Sequence, residues 1–479
     1  MCLSNFDSLD SKEVFRWFSE LSKIPRESGH EKEVSDFLVK FAKDRGLEVY
    51  QDKENNVIMK KKASSGFENI KPVIIQGHMD MVCEKTKESK HDFRKDPIEL
   101  IVEGDILRAN DTTLGGDDGI AVAMGLALFD SKDIPHPALE LLITTAEETG
   151  MDGASAVTAE HLDGKTLINI DGEEEGIFLV SCAGGLNTLV SFDIKKEANN
   201  NDALKIEVSG LKGGHSGIEI NNQRANAIKV LGRLLYAVKD DINIACIEGG
   251  AKHNAIAKHA DAVITAKDTG KVQKIIEDLS NNIKAEYRVE DPDIKITVSK
   301  ADNVKECYSK ELSSNVIDFI MLSPDGVLYM SRDIEGLVQT SANNGILKEE
   351  NNKLTFTISI RSSISSSSNE IALRVEAAAK RTNANYQRAS EYPAWEYDAN
   401  SKVKDIALNA YKKITGKDAK IEAIHAGLEC GILKKPLADV DMISMGPNIY
   451  DVHTPKEHLS ISSVDRMWKV LKELIINIK

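Results

Sequence analysis

Histidine and carboxylate side chains recur in this sequence at one kind of place, just past a short apolar run. His78 and Asp80 follow Val73-Ile74-Ile75, Glu147 and Glu148 follow the apolar stretch 139–145, and Asp171 follows 166–170. Asp117 and Asp118 close the polar stretch 110–119, and His453 stands beyond the apolar stretch 441–445. Imidazole nitrogen and carboxylate oxygen without thiolate form a donor set that suits zinc, manganese or cobalt in a catalytic role. Five such candidates, His78, Asp117, Glu148, Asp171 and His453, are too many for one open catalytic ion. They suit two ions about 3.5 to 4 Å apart that share a carboxylate. In an extended segment His78 and Asp80 face the same side, so Asp80 could hold the imidazole nitrogen turned away from an ion. Of the adjacent acids Glu147 and Glu148, one could bind an ion while the other faces a reacting water.

Taken singly, each feature has an ordinary reading: a core histidine beside a surface aspartate, acids at a helix N-terminus, a solvated pair of glutamates. Their common setting gives the pattern meaning. Val73 to Ile75 is β-branched and follows Pro72, which predicts a central strand of a covered sheet, with Gly77 turning the backbone at its edge. Strands are also expected at 106–109, 139–145 and 166–170, with 110–119 as a loop opening an apolar helix over 120–129. A glycine-rich turn before a helix usually invites a phosphate, but Asp111, Asp117 and Asp118 would repel one and attract a cation. In doubly wound sheets ligands bind beyond the carboxyl ends of the strands, so these residues are expected to converge.

Around this core, the spacing predicts helices over 11–22, with Ser11 as cap, and over the segment that ends near Gly46. Paired strands follow at 47–51 and 56–61. After Gly184-Gly185 the apolar runs give way to half-exposed strands (204–209, 242–247, 262–266, 294–298, 336–343, 354–360) and helices (225–238, 272–285, 313–322, 370–382), an α+β pattern. The serine-rich 362–368 reads as a connection. Within this region lie Gly213-Gly214-His215-Ser216-Gly217, His253-Asn254, and Arg361 at a strand end. From Tyr392 the α/β pattern returns, with helices at 403–414 and 464–476 and strands at 420–424 and 441–445. A late His453 implies a metal-bearing domain interrupted by an insertion.

The 479 residues allow two or three domains, and 41% hydrophobic content supplies a sizeable core. A net charge of −15 argues against nucleic acid or an anionic membrane face as a partner. Cys2, Cys83, Cys182, Cys246, Cys307 and Cys430 form no Cys-x-x-Cys pair, which suggests buried thiols in a reducing compartment. Asp7, Asp10, Lys12 and Glu13 precede any apolar run, and no run reaches the roughly 18 residues of a membrane helix. A soluble, cytoplasmic protein is expected.

Several motifs together resemble those of the cytosolic aminoacyl-histidine dipeptidases, also called cytosol nonspecific dipeptidases or bacterial carnosinases, within the dinuclear zinc exopeptidases. They are Gly-His-Met-Asp at 77–80, Thr-Thr-Leu-Gly-Gly-Asp-Asp-Gly at 112–119, Glu-Glu-Thr-Gly-Met-Asp-Gly at 147–153 and Asp-Gly-Glu-Glu-Glu-Gly at 171–176. Cys-Ala-Gly-Gly at 182–185, Gly-Leu-Lys-Gly-Gly-His-Ser-Gly at 210–217, His-Ala-Gly-Leu-Glu-Cys-Gly at 425–431 and His-Thr-Pro at 453–455 complete the set.

The resemblance implies an α/β fold, a mixed-sheet three-layer α/β/α catalytic domain over 1–184 plus 394–479, with an inserted α+β lid domain over 185–393. It implies that Asp117 bridges two divalent ions, most commonly zinc. His78 and Asp171 would complete one site and Glu148 and His453 the other, with Asp80 orienting His78 and Glu147 as general base. His215, Asn254, Arg361 and Gly427 match substrate-binding positions, and a homodimer is the family's usual state. The implied activity is hydrolysis of dipeptides with a free C-terminal carboxylate, Xaa-His and carnosine-type substrates included. An N-acyl-amino-acid deacylase with the same metal site is the alternative. The sequence departs from the family at Asp118, where Asn is common, at Ala257, where Pro often follows Asn-Ala-Ile, and at Thr454, where Ser is usual.

Overall fold

The computed structural model describes residues 6–302 and 304–479, so Cys2 lies outside the described residues. The chain divides into two compact units. One is drawn from Met1–Ser181, Tyr397–Ala423 and Leu428–Lys479, and the other from Cys182–Glu396 and Ile424–Gly427.

Among the described residues, the first unit is built on an eight-stranded mixed sheet. Its order is Glu48–Gln51, Val57–Lys61, Leu139–Thr144, Val73–His78, Thr166–Asn169, Asp441–Ser444, Ile177–Cys182, Lys420–Ile424. The strand carrying His78 is parallel to both neighbours, and Asp441–Ser444 continues the parallel run. All six residues of Val73–His78 and of Leu139–Thr144 are buried. Both faces of the central sheet are therefore covered, as continuous apolar strands require.

The helix Gly116–Asp130 lies along Val73–His78 and is packed by Lys12–Leu21. It is apolar nearly all round, the mark of a helix enclosed by protein. Lys402–Thr415 packs against Ile461–Asn477 and Asp441–Ser444.

A small four-stranded sheet, Ile449–Tyr450, His458–Ser460, Ile106–Ala109, Leu100–Glu103, matters for the site. Its first two strands pair as a hairpin whose loop holds His453. The neighbouring strand Ile106–Ala109 leads into the loop that ends at Asp117.

The second unit is a nine-stranded sheet in which every recorded pairing is antiparallel. Helices Ala227–Ala237, Thr269–Glu286, Lys310–Leu322 and Ser365–Arg381 pack on it. Burial alternates along its strands, as in Gly184–Asp193 and Asp202–Ser209. No helix among the described residues is long and apolar enough to cross a membrane.

Several local expectations change. Gly77 makes no turn: it lies inside its strand, where an added Cβ would come 2.5 Å from Asp118 Oδ2 and 2.6 Å from Ala121 Cβ. Glycine is there to admit the helix and its carboxylate. Ser11 makes no cap hydrogen bond; its N–H and hydroxyl instead both donate to Asp465 Oδ1, at 2.9 and 3.0 Å. Ser365 to Ser368 form the first turn of a helix and not a connection. The helix Gly116–Asp130 carries non-helical backbone angles at Asp117 and Asp118, so its regular turns start only past Asp118, beside the expected 120–129. Cys246 is exposed and Cys83 half-buried, whereas Cys182, Cys307 and Cys430 are buried.

Candidate metal centre

All seven residues singled out from the sequence of the first unit meet at the carboxyl ends of its central strands. His78 ends the strand Val73–His78 with its ring 1% exposed. Its Nε2 lies 3.1 Å from Asp117 Oδ1 and 3.6 Å from Asp171 Oδ1. His453 Nε2 lies 3.1 Å from Asp117 Oδ2 and 3.0 Å from Glu148 Oε1. Asp117 thus offers one oxygen to each imidazole.

Asp80 works on the other side. Its Oδ1 is 3.3 Å from His78 Nδ1 and accepts the Glu147 N–H at 3.1 Å, while its Oδ2 accepts the Glu148 N–H at 3.3 Å and the Ser28 hydroxyl at 2.8 Å. One buried carboxylate therefore fixes the orientation of His78 and the start of the segment that carries both glutamates. That segment is a single helical turn, Glu147–Gly150, and not a strand end; about 100° of helical rotation is what sends the adjacent acids different ways.

The backbone is strained in two places that aim these groups. His453 has φ 61° and Ala146, just before Glu147, has φ 53°. Non-glycine residues in the left-handed region cost of order 1–3 kcal/mol each and tend to persist at functional sites. Asp171 is set by a close crossing: Gly172 N–H donates to Met445 O at 3.1 Å, and a Cβ on Gly172 would come 2.8 Å from Gly446 N.

The electrostatics show a deficit of positive charge. Burial pushes the Glu147 carboxyl up to about 9, with Asp171, Glu429 and Glu148 adding to it against the pull of His78. Burial likewise raises Asp171 to about 6 and drives Asp118 well above its ordinary value. Hydrogen bonds to Asp117 and Glu148 raise His453 to about 10. Burial opposes the proton on His78, but Asp117, Asp171 and Asp80 outweigh it and hold its pKa well above normal. Against burial, the hydrogen bonds from His453 and His78 keep Asp117 low. Protons are thus retained on acids and imidazoles where extra cationic charge is wanted.

Divalent ions fit this donor set. One donor atom from each of His78, Asp118 and Asp171, from each of His78, Glu147 and Glu148, and from each of Asp117, Glu148 and His453 lies within 4.8 Å of the others in its group.

Three surrounding residues were not anticipated. Arg26, 3% exposed, donates to Met79 O at 3.2 Å, to Asp80 O at 3.3 Å and to Gly115 O. Glu457, 2% exposed, accepts the N–H groups of Leu114, Gly115, Gly116 and Asp117 at 2.8, 3.0, 2.7 and 3.3 Å. Glu429 accepts from Gln76 at 2.6 Å and Thr144 at 2.8 Å beneath the strand ends. Glu429 lay within a quoted motif and Glu457 only four residues past His453, while nothing local marks Arg26.

The other four candidates belong to the second unit. His215 Nδ1 accepts the N–H groups of Gly217 and Ile218, each at 3.2 Å. An isolated bridge pairs His215 with Ala255, and Asn254 O accepts the Ser216 N–H at 2.9 Å, so His215 and Asn254 are neighbours. Arg361, near the end of strand Lys353–Ser362, donates from Nη1 to the Tyr392 hydroxyl at 2.9 Å, and its Nε is buried without a partner. Gly427 lies against the same ring, 2.9 Å from Tyr392 Cε2 to an added Cβ. His425 Nε2 bonds Ser341 Oγ at 2.8 Å.

Comparison with known proteins gives the family. Peptidase family M20/M25/M40 matches residues 74–477. The cytosol non-specific dipeptidase of Escherichia coli (strain K12) is 34% identical over 479 residues, covering 99% of each chain. The crystal structure of aminoacylhistidine dipeptidase from Vibrio alginolyticus superposes with a TM-score of 0.94 at 34% identity over 99% of both chains. Aminopeptidase PepT from Bacillus cereus ATCC 10987, at 15% identity and a TM-score of 0.57 over 98% of both chains, shares the fold. The chain therefore belongs to peptidase family M20/M25/M40 and, within that metallopeptidase family, to the cytosol non-specific or aminoacylhistidine dipeptidases.

Proposed function

We propose that this enzyme hydrolyses dipeptides with a free C-terminal carboxylate, Xaa-His and carnosine-type substrates among them, in the cytoplasm and as a homodimer. The observation that carries the reading is Asp117, with one oxygen 3.1 Å from the Nε2 of His78 and the other 3.1 Å from that of His453. The names of the Escherichia coli and Vibrio relatives support the substrate class.

His78, Asp171 and Asp117 Oδ1 would hold one divalent ion, and Glu148, His453 and Asp117 Oδ2 the other, zinc before manganese or cobalt. Such a pair supplies Lewis acidity and lowers the pKa of water from 15.7 to about 7. Glu147 takes the proton of the attacking water and returns it to the leaving amine; without ions burial keeps it protonated, and the charge of bound ions would lower its pKa and free the carboxylate to act as a base. Asp80 holds His78 and the Glu147 segment in register. His215 donates to the developing oxyanion, Asn254 assists it, Arg361 takes the substrate carboxylate, and Gly427 leaves room in the pocket. Residues 185–393 form the lid inserted into a catalytic domain of 1–184 plus 394–479.

A panel of dipeptides and one acetylated amino acid, assayed with and without chelator, tests this. Chelator-sensitive cleavage of dipeptides is expected, with Glu147→Gln keeping its ions and losing about 10²- to 10⁴-fold in turnover. Faster release of acetate than of amino acids would make the enzyme an acyl-amino-acid deacylase. Equal loss of ions and turnover would make Glu147 a ligand.

A further inference from the structure

Two buried charges hold the loop that delivers Asp117, and neither is a candidate ligand. Glu457 receives four consecutive amides of that loop, Leu114 to Asp117, the last being the amide of Asp117 itself. Arg26 takes the loop's carbonyl at Gly115 and, from Nη1, the carbonyls of Met79 and Asp80. The segment that supplies His453 thus also sets the N–H side of the Asp117 loop. The residue that sets its C=O side fixes the chain on which His78 and Asp80 ride.

The space around these contacts leaves little freedom. A Cβ on Gly115 would come 2.8 Å from Met81 Sδ and closer still to the Arg26 guanidinium, and one on Gly116 would meet Leu459 Cδ1 at 3.0 Å. Burial lowers the pKa of Arg26, with Glu457 the first of the charges that oppose it.

We propose that Arg26 and Glu457 are a pair of positioning residues that set the separation of the two ion sites, by fixing Asp117 against His78 on one side and His453 on the other. This rests on the dinuclear reading above and adds that the spacing of the ligands is imposed by main-chain hydrogen bonds to these two charges.

A buried carboxylate elsewhere in the same unit provides the control. Glu140, 2% exposed, accepts the N–H groups of Asp163 and Gly164 at 3.0 Å, one residue into strand Leu139–Thr144 and away from the carboxyl end where His78 lies. Zinc titration of the ion-free full-length chain, followed by calorimetry and by competition with a chromophoric chelator, is compared for wild type, Glu457→Gln, Arg26→Lys and Glu140→Gln. Glutamine at 457 sets an NH2 group against backbone donors, and lysine at 26 keeps the charge but has one nitrogen in place of the fork whose Nη1 and Nη2 hold separate segments.

Both site variants should bind zinc about 10- to 100-fold more weakly, the range for residues that orient ligands, with far-UV circular dichroism unchanged. Glu140→Gln should lower the melting temperature and leave zinc affinity within about twofold of wild type. Affinity within twofold of wild type for Arg26→Lys or a folded Glu457→Gln, or a loss matched by Glu140→Gln, overturns the proposal. Failure of the wild type itself to take up two equivalents overturns the dinuclear reading beneath it.

Discussion

The tautomer of His215 is fixed by its own turn. Two backbone N–H groups point at Nδ1, so that nitrogen is an acceptor and the proton sits on Nε2. Burial, followed by the charge of Arg361, lowers its pKa, which keeps the ring neutral with one donor to offer. A neutral donor suits an oxyanion that exists only in the transition state. His215→Ala is therefore expected to bind ions as the wild type does and to lose about 10²- to 10³-fold in kcat, the usual cost of one such donor. Calorimetric zinc titration beside steady-state kinetics on one dipeptide checks this; wild-type kcat would return His215 to the status of an ordinary turn residue.

Strand Val73–His78 shows how an element can serve the site through a residue without a side chain. Gly77 lies directly against the helix Gly116–Asp130, and Asp118 Oδ2 there accepts the His78 N–H at 3.2 Å. Gly77→Ala must push away a carboxylate anchored to the main chain and a buried Ala121. Overpacking of this kind costs about 1–3 kcal/mol, read as a lower urea midpoint with unchanged slope. Zinc affinity should fall with it, since the displaced strand carries His78; an unshifted midpoint would mean that the helix relaxes freely.

The same element shows what the sequence made legible. The strand, its neighbours and the acids beyond their ends follow from short apolar runs and their flanks, which are local signals. So do the candidate ligands His78, Glu148 and Asp171, which sit beside such runs, whereas Asp117 and His453 lie farther on, in loops held by tertiary contacts. Arg26, Glu429 and Glu457 were not legible: their partners include main-chain atoms or side chains brought in by the tertiary fold, 341 residues away for Glu457 and Gly116. The left-handed φ of His453 and Ala146 was equally hidden, since neither residue type announces it. Gly77 was misread because glycine before a ligand signals a turn as readily as a close approach.

For the molecule as a whole, the cluster makes folding depend on ions and pH together. In the ion-free chain Glu147 rises from 4.5 to about 9, Asp171 from 3.8 to about 6, and His453 from 6.5 to about 10, while His78 lies well above 6.5. Each folded value exceeds its unfolded one, so between the two the native chain holds a proton that the unfolded chain has released. The stability linked to these groups is complete below the unfolded values and is lost as pH rises through the folded ones. Asp117 and Asp80 shift the other way, but their effect is confined to pH below about 4. Between pH 6 and pH 9 the remaining shifts all have one sign, although His453 is half exposed and solvent screens its share. Divalent ions take over the role of those protons, and their affinity rises as the ligands deprotonate. The gap in melting temperature between zinc-loaded and chelated enzyme is accordingly expected to widen from pH 6 to pH 9, chiefly because the chelated form weakens. Scanning calorimetry of both forms at the two pH values measures it, and a gap that stays constant would mean that no proton leaves this cluster when ions enter.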